Sequence, residues 1–136
     1  MKNLNIGLFG FGNVGRGLYD VLKRINSENV HIKRVCVRDL NKPRGVEAEF
    51  TDNADDIFND KDINLIVEVI DDAEAAYDIV KRALKSRIPV VSGNKKMLGH
   101  HILELIDIQA QYNTPLLYDA SACGSIPVIR NLEEYY

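Results

Sequence analysis

Short apolar runs alternate with longer amphipathic stretches along the whole chain. Runs of strand length fall at Leu4 to Phe9, His31 to Val37, Asn64 to Ile70, Ile88 to Val91 and Pro115 to Tyr118. Between them, apolar residues recur at three- and four-residue steps, the spacing that puts them on one stripe of a helix. Val14, Leu18, Val21, Leu22 and Ile25 make the first stripe. Ala75, Ala76, Ile79, Val80, Ala83 and Leu84 make a second. Met97, Leu98, Ile102, Leu105 and Ile106 make a third, which ends near Asn113-Thr114-Pro115 because proline forbids continuation. A shorter helix fits Asn53 to Phe58, with Asp52 as the cap whose carboxylate accepts from free amides of the first turn. The strand runs are apolar throughout rather than alternating, as in a parallel sheet covered by helices on both faces. Strand and helix alternate in order, which predicts an α/β fold with a doubly wound, mostly parallel sheet and right-handed crossovers.

Composition narrows the class without changing this picture. The 136 residues suit one domain, and 46% hydrophobic with 27% charged residues describes a globular chain. No stretch reaches the roughly 18 apolar residues of a membrane span. The amino terminus passes straight into a strand-like run, with no basic segment leading an apolar signal region, so a cytoplasmic setting is expected. Cys36 and Cys123 lie far apart without metal-ligand spacing and form no disulfide framework. The formal charge of −3 is spread over mixed positions, which leaves nucleic acid without a basic surface to bind. The last residues, Ile126 to Tyr136, begin a helical pattern with nothing behind it.

The candidate chemistry begins at Gly10-Phe11-Gly12-Asn13-Val14-Gly15, directly after the first strand and opening the first helix. In that context Gly10 allows a tight turn, Gly12 lets backbone approach a pyrophosphate, and Gly15 lets helix pack on strand. The helix amino terminus then offers unpaired N–H groups to phosphates. This is the dinucleotide-binding arrangement of a Rossmann-type fold. At the tip of the second strand an acid would bind the adenine ribose hydroxyls and a base would tolerate the extra phosphate of NADP. Asp39 and Arg38 supply both kinds, and Lys42 and Arg44 in the following loop tip the expectation toward NADP over NAD.

Five segments extend the comparison beyond a generic loop. Gly10 to Gly17, Val37 to Arg44, Val67-Glu68-Val69-Ile70, Ser92-Gly93-Asn94-Lys95 and Asp119 to Pro127 together resemble the amino-terminal domain of homoserine dehydrogenase, over nearly the whole chain. The asparagine-lysine turn followed at this distance by the Asp119 segment is the distinctive part. The resemblance implies reduction of aspartate 4-semialdehyde to L-homoserine with NAD(P)H, a step of threonine, methionine and isoleucine biosynthesis. It implies cofactor contacts from Gly10, Gly12, Asn13, Val14, Gly15, Arg38, Asp39, Ile70, Ser92 and Lys95. Lys95 would lie near nicotinamide and substrate, where an ammonium stabilises charge on the aldehyde oxygen and can pass a proton. Lys96 is assigned to a solvated surface. A sodium ion would sit on backbone carbonyls of Asp119, Ala122, Gly124 and Ile126, a site that needs oxygens in a turn and no particular side chain. A further carboxy-terminal domain would supply most substrate-binding groups, so the 136 residues alone would be inactive, and the longer enzyme would be a homo-oligomer.

One departure bears on affinity. Where the family has a glycine pair after Ile70, this chain has Asp71-Asp72. A carboxylate about 8 Å from a cofactor phosphate costs roughly 2 kcal/mol at an effective dielectric of about 20. Asp72 is expected to turn outward and cap the helix at Ala73, and Asp71 is left facing either way. His100 and His101, adjacent on a helix, point in different directions and have no third ligand at metal-ligand spacing in sequence, so His101 is read as packed and His100 as solvated. Cys123 has no cation beside it in sequence to make a thiolate. Two other roles suit the same fold: another two-domain oxidoreductase, or a non-enzymatic NAD(H)-sensing module. The Asn94-Lys95 turn and the Asp119 segment favour the dehydrogenase.

Overall fold

Leu65, Ile66 and Val67 explain why the strand runs carry no alternation. All three are fully buried, Leu65 and Val67 in one apolar cluster and Ile66 in another, because both faces of the sheet are covered. In the computed structural model, which describes residues 3–118, the strands are β1 Leu4–Phe9, β2 Val30–Cys36, β3 Phe50–Thr51, β4 Leu65–Glu68, β5 Val90–Ser92 and β6 Leu116–Tyr118. The helices are α1 Asn13–Ile25, α2 Asp55–Phe58, α3 Ala73–Lys85 and α4 Lys95–Tyr112. Every strand pairing is parallel, in the order β3-β2-β1-β4-β5-β6. Strand order therefore reverses between β1 and β4, the point at which doubly wound sheets open a crevice beyond the carboxyl ends of their strands.

The two clusters divide the helices. Leu18 and Leu22 of α1 pack with Ile6, Leu8, Val35 and Val67. On the other face Ala76, Val80 and Leu84 of α3 and Met97, Leu105 and Ile108 of α4 pack with Phe9, Ile66 and Val90. Left-handed asparagines close two of the helices. Asn26 after α1 and Asn113 after α4 take the left-handed conformation (φ 48° and 50°), and each donates its N–H back into the last turn, to Leu22 and Gln109. The final turn of α4 thus stops before Pro115, as that proline requires.

Four expectations need correction. β3 was not foreseen: it has two residues, at the sheet edge, and exists by pairing with Val35 and Cys36. The short helix starts at Asp55, and its first amide is met by Asn53, whose Oδ1 accepts from Asp55 N at 2.9 Å, while Asp52 is exposed and caps nothing there. Ile25 and Ile106, placed on buried stripes by their spacing, are 51% and 48% exposed. Val37, Asn64, Val69, Ile70, Ile88, Pro89 and Pro115 fall outside the strands that their runs predict, since strand pairing stops short of the ends of the apolar runs. The expected cation segment at Asp119, Ala122, Gly124 and Ile126, with Cys123 and the final helical pattern, lies outside the described residues.

Candidate functional site

Two loops beyond the carboxyl ends of the strands carry the candidate residues, the one after β1 at the switch point and the one after β5 two strands away, outside the lining of the main cleft. The first is held by backbone bonds to its neighbours: Gly10 N donates to Cys36 O at 3.0 Å, and Phe9 O accepts from Val69 N at 2.9 Å. Gly10 has φ 99°, and a Cβ there would meet Ile70 Cγ2 at 2.9 Å and Val69 O at 3.0 Å, so only glycine turns the chain here. A Cβ on Gly15 would run into the Gly10 carbonyl oxygen, which is the close helix-on-loop packing the motif needs. Gly12 differs from both. A Cβ there would meet nothing within 4 Å, so the fold itself makes no demand for glycine at this position. The open space is on the approach to α1, whose N-cap is Gly12 and whose first turn receives no side-chain cap. The N–H groups of Asn13, Val14 and Gly15 have no carbonyl one turn earlier to bind, and they remain available to an anion.

Beside this loop lies a cleft of about 700 Å³, lined among others by Gly10, Gly12, Arg38, Asp39, Ile70 and Asp71. Its volume suits a cofactor. Arg38 and Asp39 are exposed at the end of β2. One carboxylate oxygen of Asp39 accepts from Asn41 N at 2.9 Å, which ties the acid into its own turn. Arg44 is less free than a solvated loop residue: its guanidinium lies 5.2 Å from the centroid of the Phe50 ring and donates to Lys42 O at 2.9 Å. Lys42, Arg44 and the half-buried Cys36 line the same cleft, and burial pushes the Cys36 thiol up. Asp72 is turned away as expected, its carboxylate accepting from Glu74 N and Ala75 N at 3.0 and 3.1 Å, and these bonds hold its carboxyl below the ordinary range. Asp71 is exposed and faces the cleft, which it lines.

The second loop is built around a buried acid. Glu68, the last residue of β4, is 0% exposed. Its Oε1 accepts from Ser92 Oγ at 2.7 Å and its Oε2 from Ile70 N at 2.8 Å, with Asn94 Nδ2 at 3.5 Å. Burial pushes the carboxyl up from its ordinary value, and these three donors pull the other way. Asn94 finishes the arrangement: its Nδ2 donates to Ile70 O at 2.8 Å, its N to Ser92 Oγ at 3.1 Å, and its Oδ1 accepts from Met97 N to cap α4. Lys95 follows as the first residue of α4 and is exposed. Ser92, expected at the cofactor, is buried with its hydroxyl engaged by Glu68, so it orders the turn from beneath. Lys96 is exposed too and lines a smaller neighbouring cleft with Arg38, Asp71 and His100. Sequence reasoning passed over Glu68 as a site residue, although an acid at the end of an apolar strand was the available signal.

Fold, glycine loop and switch-point cleft together define a dinucleotide-binding domain of the doubly wound α/β class. The family model described as "Homoserine dehydrogenase, NAD binding domain" matches residues 10–119. A homoserine dehydrogenase of Helicobacter pylori is 36% identical over 98% of this chain and 33% of its own length. A crystal structure of the S. aureus enzyme superposes with a TM-score of 0.80 at 31% identity, covering 93% of this chain and 34% of that one. A hyperthermophilic archaeal homoserine dehydrogenase in complex with NADPH, at 21% identity and a TM-score of 0.72 over 96% of this chain and 48% of its own, shares the fold. The chain belongs to the homoserine dehydrogenase family, as its NAD-binding domain. It spans about a third of the length of the curated relatives it matches. No helix among the described residues is long and apolar enough to cross a membrane.

Proposed function

We propose that this chain is the cofactor-binding part of an enzyme that reduces aspartate 4-semialdehyde to L-homoserine, with a carboxy-terminal domain supplying the remaining substrate groups. The observation that carries this is the uncapped amino terminus of α1 behind a Gly12 with empty space above it, at the switch point of the sheet. Asn13, Val14 and Gly15 would hold the pyrophosphate by backbone N–H groups. When bound, the reduced nicotinamide supplies the hydride. Lys95, placed at the second loop by Asn94 and Glu68, would stabilise negative charge on the aldehyde oxygen and deliver its proton. The surrounding enzyme would be a cytoplasmic homo-oligomer, with a sodium ion on the carbonyls of Asp119, Ala122, Gly124 and Ile126.

NADP is the preferred cofactor in this proposal, supported by Arg38 at the end of β2 and by Lys42 and Arg44 on the wall of the same cleft. Calorimetric titration of the chain with NADPH and NADH tests both levels. Binding of neither at millimolar concentration would remove the dinucleotide role. Arg38→Ala is expected to weaken NADPH on the order of tenfold and leave NADH nearly unchanged, as loss of one charge-assisted phosphate contact predicts. An unchanged ratio of the two affinities would pass the choice to Asp39.

A further inference from the structure

Near the amino-terminal ends of α3 and α4, three side chains with metal-ligand chemistry come together although they stand apart in sequence. Glu74 is in the first turn of α3, and His100 and His101 are in the second turn of α4. Their ligand atoms all lie within 4.8 Å of one another. Neighbouring positions on a helix diverge by about 100°, yet here the two imidazoles turn edge to face, with centroids 6.2 Å apart and planes at 72°. The His101 ring stacks on Tyr77 at 3.8 Å and 16°, and its Nε2 lies 2.9 Å from Glu74 Oε1. One ligand is therefore already oriented by packing, while exposed Glu74 and His100 leave room for water.

We propose that Glu74, His100 and His101 form a surface site for one divalent transition-metal ion of the zinc class. Two imidazoles and a carboxylate with an open fourth position is a donor set that Zn²⁺ takes. Magnesium and calcium prefer all-oxygen shells and fit it poorly. Ligands about 2.1 Å from a tetrahedral ion stand roughly 3.4 Å apart. Closing the site calls for an inward swing of the exposed His100 and a slight parting of Glu74 from His101. Glu74 and His100 line the smaller cleft together with Asp71 and Asp72, which offset the charge of Arg38 and Lys96 there. No ligand comes from the cofactor loops, so the proposal stands independently of the dehydrogenase role.

The test uses the tag-free chain carrying Cys36→Ser and Cys123→Ser, which removes both thiols. Calorimetric titration with Zn²⁺ is expected to show one ion per chain, and Co²⁺ should give the visible absorption of a four- or five-coordinate centre that excess Mg²⁺ does not displace. His100→Ala and Glu74→Gln should each weaken Zn²⁺ on the order of tenfold or more, the loss that even supporting groups of metal sites incur. Both positions are exposed, and circular dichroism would verify that the variants keep the fold. Absence of Zn²⁺ binding, displacement of Co²⁺ by Mg²⁺, or an affinity unchanged in both variants would overturn the site.

Discussion

Helices α1 and α4 begin at the same level of the fold, each just past the carboxyl end of a parallel strand, and their first turns are built in opposite ways. At α1 the cap position is Gly12, exposed, with no side chain to accept from the first amides. At α4 it is Asn94, 7% exposed, which caps the helix and is itself held over the buried Glu68. A good cap stabilises a helix by about 1 kcal/mol, so α1 lacks a contribution that α4 has. The difference separates two kinds of work. An uncapped end keeps backbone donors free for a phosphate, whereas a capped and buttressed end needs no ligand and can present a side chain at a fixed place. In the proposed function that side chain is Lys95, a cation at the positive end of a helix dipole, where a solvated lysine is disfavoured by roughly 0.3–1 kcal/mol.

The sharpest test of the α4 side concerns its two lysines, in the longer two-domain enzyme proposed above. Lys95→Ala is expected to lower kcat about 100- to 1,000-fold, the effect of losing one positioned donor to a developing oxyanion. Lys96→Ala should leave kcat within about a few fold. Steady-state kinetics on both variants decides it, and equal losses would erase the distinction between the neighbours.

Next in size is the acid beneath them. Glu68→Ala would leave Ile70 N–H and the Ser92 hydroxyl without their buried acceptor, which costs about 2–4 kcal/mol in chemical denaturation. Glu68→Gln keeps the shape of a protonated carboxyl and should cost much less. The pair also differs in pH dependence. Burial raises the folded-state pKa of Glu68, so the native state holds this proton more tightly than the unfolded chain. Its contribution is full below the ordinary glutamate value of 4.5 and is lost as pH rises through the raised folded value. Subtracting the Glu68→Gln stability profile from that of the parent chain should show a decline over that window, and a flat difference would mean that the carboxylate is as well settled buried as in water.

How much of this was legible in sequence depends on the range of the interactions. β1, the glycine loop and α1 were legible because period, glycine spacing and strand-to-helix order are all local. The Asp72 cap was legible for the same reason, its bonds reaching only to Glu74 and Ala75. The buried network was not, because Glu68 meets Ser92 across 24 residues and Asn94 across 26. Glu74 and His101 meet across 27, on different helices, so the adjacent histidines read as two unrelated side chains. β3 has no pattern of its own at two residues and is created by the edge of β2. Periodicity located the stripes through Ile25 and Ile106 but carries no information on where the covering surface stops.

Removing the cap from α4 and adding one to α1 would exchange the two designs at the smallest energies. Asn94→Ala is expected to cost about 1–2 kcal/mol, because Met97 N–H loses its acceptor and Ile70 O a donor. Gly12→Ser is the mirror experiment. Nothing stands within 4 Å of a Cβ at Gly12, and its φ of −81° is one that any residue adopts, so the fold accepts the substitution. A serine hydroxyl there can accept from an amide in the first turn, and relative to glycine such a cap adds only a few tenths of a kcal/mol. The same hydroxyl would occupy the space through which the proposed pyrophosphate approaches and would take up a donor that the phosphate would use. Stability by thermal denaturation should therefore stay level or rise slightly while NADPH affinity falls by about tenfold or more. A variant that gains the cap and binds NADPH as before would show that the empty space at Gly12 is not the path of the phosphate.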